Sequence, residues 1–427
     1  MITTALTLLL VLIGISIPVG AALGILGLIL DPLFSMLPLT RAIGELSWST
    51  NNEFLLVAIP LFILLGELLL RSGFAERMYG AMSLWLSWLP GGLMHANIGA
   101  STLFSATSGS SVATAATVGT VALPQIKKYG YNEPLFLGSL AAGGTLGILL
   151  PPSINLVMYG VLTNSSVPKL YLAGIVPGLV MALLFILTVL TACLVKPKWG
   201  GEKIHASWGE RLRSLVHLLP PAGIFLLVVG SIYAGLATPT EAAALGVVGA
   251  LALAAGFGRL NLKMLREAVE GTMRSTAMIM LIVIASSFLN FVMSATGLTN
   301  ALTASISGLG LSPGWMLLVL VLFYLVLGCF METLSMMITT IPIVAPIMIG
   351  LGYDPIWLGI LIIVLVELAL ITPPVGLNLF VVQSLRKSGS MSAVIIGSLP
   401  FVVAMFVMVA LLAAFPQMAL WLPNLGG

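Results

Sequence analysis

Long apolar runs, interrupted at a few points by proline, glycine or hydroxyl residues, make up most of this chain. They do not alternate with period two, so they predict helices rather than strands. A run of about 20 apolar residues is long enough to cross a bilayer as a helix. Runs of that order fall near residues 3–30, 54–70, 133–165, 169–195, 216–235, 239–257, 275–293, 355–385 and 393–420. Two further stretches, 92–126 and 313–350, are too long for one crossing and too short for two, and polar residues interrupt each near its middle. They predict re-entrant helical hairpins that enter and leave on the same side. Residues 1–30 have no charged leading region and no evident cleavage site, so they read as a retained span, which Pro18 has the means to split.

The basic residues test this layout. Lys and Arg concentrate on the cytoplasmic side of membrane proteins. With 196–215 placed inside, threading the chain with each hairpin returning to its own side puts Lys196, Lys198, Lys203, Arg211, Arg213, Arg71, Arg77, Lys127, Lys128, Arg259, Lys263, Arg266, Arg274, Arg386 and Lys387 inside as well. Of the 17 basic residues only Arg41 and Lys169 fall outside. Counting either hairpin as a single crossing spoils the agreement. The first hairpin then opens to the cytoplasm and the second to the outside. The N-terminus lies inside if 3–30 is one span.

Two segments 222 residues apart resemble each other: Pro124, Tyr131, Pro151 and Pro152 correspond to Pro346, Tyr353, Pro373 and Pro374. Upstream, 73–90 and 297–313 look alike as short amphipathic connectors. The expected organisation is a first repeat over 1–195 (hairpin about 92–126, broken helix about 133–165), a cytoplasmic linker over 196–215, and a second repeat over 216–427 (hairpin about 313–350, broken helix about 355–385). The charges orient the copies oppositely. Inverted repeats with interrupted helices at matching places point to a transporter with its binding site near the membrane midplane.

Proline lacks an N–H and breaks the helical ladder. Pro151-Pro152 and Pro373-Pro374 therefore predict unwinding in mid-membrane, which is tolerated where protein or a wetted cavity surrounds it. Carbonyls and hydroxyls there suit a hard cation, and half-helix N-termini favour an anion. Candidate anion-binding residues are Ser108, Gly109, Ser110, Ser153, Asn155 and Asn378. Candidate Na⁺ ligands are Ser110, Ser111, Thr114, Pro151 and Asn155 around the first tip, and Glu332, Thr333, Ser335, Thr372, Pro373 and Gly376 around the second. Two Na⁺ ions with the substrate between them is the expected arrangement. Scattered hydroxyls such as Ser139 and Ser287 read as helix-packing groups.

Acidic residues at membrane depth cost roughly 2.5–3.5 kcal/mol each on insertion scales. Glu332 sits at a tip, and Glu367 stands six residues before Pro373, placed to line the same cavity. Glu67 suits an ion pair with Arg71, and Glu241 after Thr238 suits a helix start. His95, His205 and His217 form no motif and read as surface or interfacial residues.

Composition agrees with a bilayer as the solvent: 59% of residues are hydrophobic and 7% charged, against about 25% charged in soluble domains. A formal charge of +3 is too small to suggest nucleic acid. Cys193 and Cys329 lack metal or redox spacing and read as buried hydrophobes. There is no G-x-x-x-x-G-K-[ST] phosphate loop and no Ser/His/Asp or Cys/His grouping, so neither ATP hydrolysis nor other enzyme activity is expected.

The run LPGGLMHANIGASTLFSATSGSSVATAATVG, followed by LPQIKKYGY, LPPSINLVMYG and AGIVPG, resembles the large membrane (M) subunit of tripartite ATP-independent periplasmic (TRAP) transporters, members of the ion transporter superfamily. ATPTEAAA at 237–244, PPVGLNLFV at 373–381 and FPQMALWLP near the C-terminus extend the likeness over nearly the whole chain. The resemblance implies an all-α polytopic fold with an elevator-type scaffold and transport domain, in a bacterial or archaeal cytoplasmic membrane. It implies Na⁺-driven symport of a small organic acid delivered by a periplasmic (P-type) binding protein, with a small four-helix (Q-type) membrane subunit as partner. The second tip, Glu332-Thr333-Leu334-Ser335, departs from the Gly-Ser-rich first tip, so the first site is the closer match. A stand-alone ion-coupled carboxylate carrier of the same fold is the alternative; a non-transporting membrane subunit of a redox or assembly complex would need cofactor ligands that the sequence lacks.

Overall fold

A computed structural model describes residues 1–202, 206–308, 310, 312–328, 331–386 and 388–425. Lys203, His205, Cys329 and Lys387, which figure in the sequence reading, lie outside these. Among the described residues the regular structure is helical, with an isolated antiparallel bridge between Tyr131 and Gly200.

The chain opens with α1 (Ile2–Gly14) and α2 (Val19–Phe34), packed on each other. The stretch 3–30 is therefore not one span. Ser16 adopts a left-handed φ of 63° and Pro18 caps α2, so the ladder cannot run through. At about 20 Å, α1 is also too short to cross a bilayer. The expectation of an inside N-terminus, which rested on a single span, loses its basis. Asp31 is buried at the end of α2, where its carboxylate accepts from the amides of Leu39 and Thr40 at 3.1 Å each.

Next come α3 (Ile43–Asn51), α4 (Phe54–Arg71) and the short α5 (Phe74–Leu86). The first hairpin stretch folds as α6 (Leu93–Ser108) and α7 (Ser111–Tyr129), joined by Gly109 and Ser110. After Asn132, whose side chain caps the next helix, the first broken stretch forms α8 (Glu133–Thr145) and α9 (Ile154–Thr163). The long α10 (Val167–Val195) ends this half. The 196–215 segment is pinned beneath α7: Glu202 donates its amide to the Tyr129 carbonyl at 2.8 Å.

Helix α11 (Trp208–Tyr233) begins within that segment and passes through a π-turn at Leu226–Gly230. It is followed by α12 (Pro239–Gly256), α13 (Leu262–Ala295) and the short α14 (Leu298–Ser307). Thr238 and Glu241 form the expected helix start, with the Glu241 carboxylate accepting from the Thr238 amide at 2.8 Å. The second hairpin stretch gives α15 (Pro313–Leu327) and α16 (Thr333–Gly350), and the second broken stretch α17 (Pro355–Ile371) and α18 (Leu377–Ser384). Helices α19 (Met391–Ala414) and α20 (Gln417–Leu425) complete the chain. Seven of the described helices are long and apolar enough to cross a membrane: α4, α10, α11, α12, α13, α16 and α19.

Two groups of helices emerge. Helices α2, α4, α12 and α13 pack on one another, and the expected Arg71–Glu67 ion pair closes α4, with Glu267 of α13 3.6 Å from Arg71. In the other group the hairpin arms pack on the first halves of the broken helices: α6 and α7 on α8, α15 and α16 on α17. The second arms then cross over, α7 onto α18 and α16 onto α9. Helix α8 lies so close to α19 that a side chain on Gly138 would strike the Gly397 carbonyl, and one on Gly397 the Pro134 carbonyl.

Candidate functional site

The first tip is a turn of two residues. Gly109 takes φ 62°, a region costly for residues with a Cβ, and Ser110 is extended and caps α7. The Ser110 hydroxyl accepts from the Ala113 amide at 3.4 Å, and its carbonyl accepts from the Thr114 hydroxyl at 2.7 Å and the Thr114 amide at 3.1 Å. The hydroxyls of Ser108 and Thr114 are 3.2 Å apart across the turn. Ser108, Ser111 and Thr114 are all buried.

This tip rests directly on the first break. A Cβ on Gly109 would lie 2.7 Å from the Pro152 carbonyl oxygen, and one on Gly147 would lie 2.7 Å from the Ser110 carbonyl oxygen and 2.9 Å from the Ser111 nitrogen. The break, 146–153, is buried throughout and contains a cis bond between Pro151 and Pro152. On its far side, a Cβ on Gly174 of α10 would be 2.5 Å from the Leu149 carbonyl oxygen. Ser153 holds the geometry of the break: its hydroxyl donates to the Ile148 carbonyl at 2.5 Å and accepts from the Leu156 amide at 3.3 Å, capping α9. Asn155, 2% exposed, has no partner for its amide nitrogen.

Asn378 joins this first cluster from the other half of the chain. Its amide nitrogen donates to the Ala141 carbonyl at 3.2 Å, in the last turns of α8, and it would stand 3.1 Å from a Cβ on Gly144. Its oxygen is buried and unpartnered. Glu367 is fully buried on α17, with its carboxylate against the backbone of Leu149 in the first break and no side-chain hydrogen bond. Buried polar atoms are nearly always satisfied; Asn155 and Asn378 each keep one that is not, beside the first tip and break.

The second cluster is assembled less fully. Glu332 caps α16: its carboxylate accepts from the Ser335 amide at 3.2 Å, the Ser335 hydroxyl at 3.3 Å and the Thr333 hydroxyl at 2.8 Å. The Thr372 hydroxyl turns back to the Leu368 carbonyl at 2.6 Å, and the Gly376 amide to the Thr372 carbonyl at 3.2 Å. Pro373 is half-buried in a second cis-proline pair, while Pro374 and Val375 are exposed. Among the described residues no hydrogen bond joins Glu332, Thr333 or Ser335 to Thr372, Pro373 or Gly376. The hairpin meets its broken helix at Gly328, where a Cβ would strike Ala369. Tyr324 and Thr340, hydroxyls 2.7 Å apart, tie α15 to α16.

Sequence reasoning missed several supports. Tyr79 donates to Asn97 at 2.9 Å and Asn97 to Ser139 at 2.9 Å, a buried chain linking α5, α6 and α8. Tyr159 donates to the Pro355 carbonyl at 2.6 Å, and Arg386 pairs with Glu133 at 2.5 Å. The glycines at 143, 144 and 147, just before the prolines, were the available signal for close backbone approach. His95 is not a surface residue: it is buried in α6, its Nε2 2.8 Å from the Pro90 carbonyl oxygen, because the bundle encloses that end of the hairpin. His217 is exposed and Cys193 is buried, as expected.

Known proteins bear on this arrangement. The family described as "Tripartite ATP-independent periplasmic transporter, DctM component" matches residues 6–418. A C4-dicarboxylate TRAP transporter large permease protein of Vibrio cholerae is 33% identical over 96% of this chain and 95% of its own. A sialic acid TRAP transporter large permease protein of the same organism is 32% identical over 95% of this chain and 98% of its own. In fold, the chain is similar to the YdaH transporter of Alcanivorax borkumensis, with a TM-score of 0.63, 17% identity, and coverage of 95% of this chain and 97% of that one.

Proposed function

This chain belongs to the family of DctM components of tripartite ATP-independent periplasmic transporters, a multi-pass membrane permease rather than an enzyme, and from that premise we propose that it carries out Na⁺-coupled uptake of a small organic acid anion across the cytoplasmic membrane. A periplasmic binding protein would deliver the anion, and a small four-helix subunit would flank the large one. The relatives named for C4-dicarboxylates and sialic acid support a carboxylate as substrate.

The observation that carries this reading is the seating of the first tip on the first break, Gly109 against Pro152 and Gly147 against Ser110. It gathers hydroxyl and carbonyl oxygens beside the unpartnered amide nitrogen of Asn155 and the unpartnered amide oxygen of Asn378. Oxygen donors of this kind suit a hard monovalent cation, and the start of α9 offers its dipole to an anion. In this reading Ser110, Ser111, Thr114, Pro151 and Asn155 hold one Na⁺, and Ser108, Gly109 and Asn378 face the substrate, with Ser153 holding the break in shape. A second Na⁺ at Glu332, Thr333, Ser335, Thr372, Pro373 and Gly376 requires the second tip and break to close on each other. Gly328 against Ala369 is the point from which they would close.

The crossed packing, α7 onto α18 and α16 onto α9, is what two inverted copies of one unit produce, which supports repeats over 1–195 and 216–427 joined by the 196–215 linker. An elevator motion needs a seam that slides. An apolar cavity of about 360 Å³ is lined by α1, α2, α13 and α14 together with α15 and α16, Leu30 and Met293 among the first group and Leu320 and Met348 among the second.

The test is uptake into proteoliposomes containing this chain and its small subunit. Accumulation of a carboxylate that needs both the binding protein and an inward Na⁺ gradient is the expected result. Accumulation without the binding protein would instead make the chain a stand-alone carrier.

A further inference from the structure

Helices α5 and α11 face each other across a cleft of about 520 Å³ on the side that the charge pattern assigns to the cytoplasm. Arg77, Gly80, Ala81 and Leu84 line it from α5 at helical spacing, and Glu210, Arg213, Ser214 and His217 line it from α11 at the same spacing. Trp85 fastens the two helices, its indole N–H donating to the Arg211 carbonyl at 3.1 Å.

The cleft has spare positive charge. Among the described residues neither Arg77 nor Arg213 forms an ion pair. Arg77 lies over the Phe257 ring at 4.3 Å, and the neighbouring Arg211 has a buried Nε without a partner. The one carboxylate lining the cleft, Glu210, is already bound by the Ser207 amide at 2.8 Å and hydroxyl at 2.9 Å. Beside the cleft, Trp208, Leu212 and Leu219 of α11 and Trp88 beyond α5 are exposed apolar side chains. Guanidinium groups over an apolar rim at a membrane face are the complement of an anionic headgroup on acyl chains.

We propose that this cleft is a binding site for an anionic phospholipid, with Arg77 and Arg213 holding the phosphate, His217 beside it and the exposed Trp and Leu side chains contacting the chains. None of the residues lining the cleft belongs to the proposed substrate site, so the assignment does not depend on the transport reading. Bound lipid would brace α5, the connector leading into the first hairpin, against α11.

The test is native mass spectrometry of the purified full-length chain with phosphatidylglycerol or phosphatidylcholine at equal concentration. Phosphatidylglycerol should bind roughly tenfold more tightly, and R77Q/R213Q should abolish that preference. G80W fills the cleft without removing charge, since a side chain at Gly80 meets nothing within 4 Å; it should block binding too, which keeps the test decisive should the double substitution fail to fold. K127Q/K128Q, basic residues of the same face outside the cleft, should leave the preference intact. Equal binding of the two lipids, or a preference that survives both R77Q/R213Q and G80W, would overturn the proposal. Displacement of the lipid by millimolar inorganic phosphate would overturn it as well, by making the occupant a free anion.

Discussion

Gly109 and Pro152 touch backbone to backbone: a Cβ on the glycine would stand 2.7 Å from the proline carbonyl oxygen. The residue that turns the first hairpin is thus also the residue that seats it on the unwound helix. Gly109→Ala carries a double penalty, about 1–2 kcal/mol for left-handed backbone with a Cβ and a displaced tip. Gly147→Ala inserts the same wedge from the opposite side, 2.7 Å from the Ser110 carbonyl oxygen. Both variants should reach the membrane and lose transport by at least about tenfold, as read by proteoliposome uptake beside size-exclusion profiles.

Asn155 and Ser153 should separate in their effects although they are neighbours. Asn155→Ala removes the side-chain oxygen proposed as a Na⁺ ligand and should raise the Na⁺ concentration for half-maximal uptake roughly tenfold, with little change in melting temperature because its amide nitrogen has no partner to lose. Ser153→Ala removes a helix cap and should cost about 1 kcal/mol of stability while leaving Na⁺ dependence in place. Uptake against Na⁺ concentration and thermal denaturation together distinguish them; unchanged Na⁺ dependence in Asn155→Ala would remove it from the site.

Glu367 is a fully buried carboxyl whose carboxylate faces the Leu149 backbone, and such groups are retained at a cost to stability. Glu367→Gln keeps the shape and removes the acid. The variant should melt at the same or a higher temperature and lose uptake by roughly tenfold. A fully active variant would make Glu367 a bystander.

Arg386 is almost enclosed, its side chain 5% exposed, while its partner Glu133 is 48% exposed, so screening limits what the pair contributes. A double-mutant cycle with Arg386→Gln and Glu133→Gln should give a coupling of about 1 kcal/mol in thermal denaturation. The pair fastens the end of α18 to the start of α8, so both single variants should also loosen Asn378 from Ala141 and reduce uptake.

Membrane immersion, the helix–turn–helix at 92–126 and the breaks at the two proline pairs are legible in the sequence because each follows from local rules, and the family is legible through the motifs that resemble it. A bilayer demands apolar runs, proline removes an N–H, and Gly109-Ser110 can only be a turn. The ion pair of Glu67 with Arg71 and the cap of Thr238 with Glu241 are equally local. The split of α1 from α2 lay in Pro18. What only the tertiary structure decided is which elements meet. Helices such as α17 are apolar and buried on nearly every face, so no periodicity reports which neighbour each side meets, and nothing local announces that Glu367 faces Leu149 or that Asn378 crosses to Ala141 from the other half of the chain. The same holds for Ser153 and Glu332. Their hydroxyl and carboxylate can serve an ion or a helix end equally well; the backbone amide at the start of α9 claims Ser153 as a cap, and that at the start of α16 takes one oxygen of Glu332, Oε2, leaving Oε1 beside the Thr333 hydroxyl.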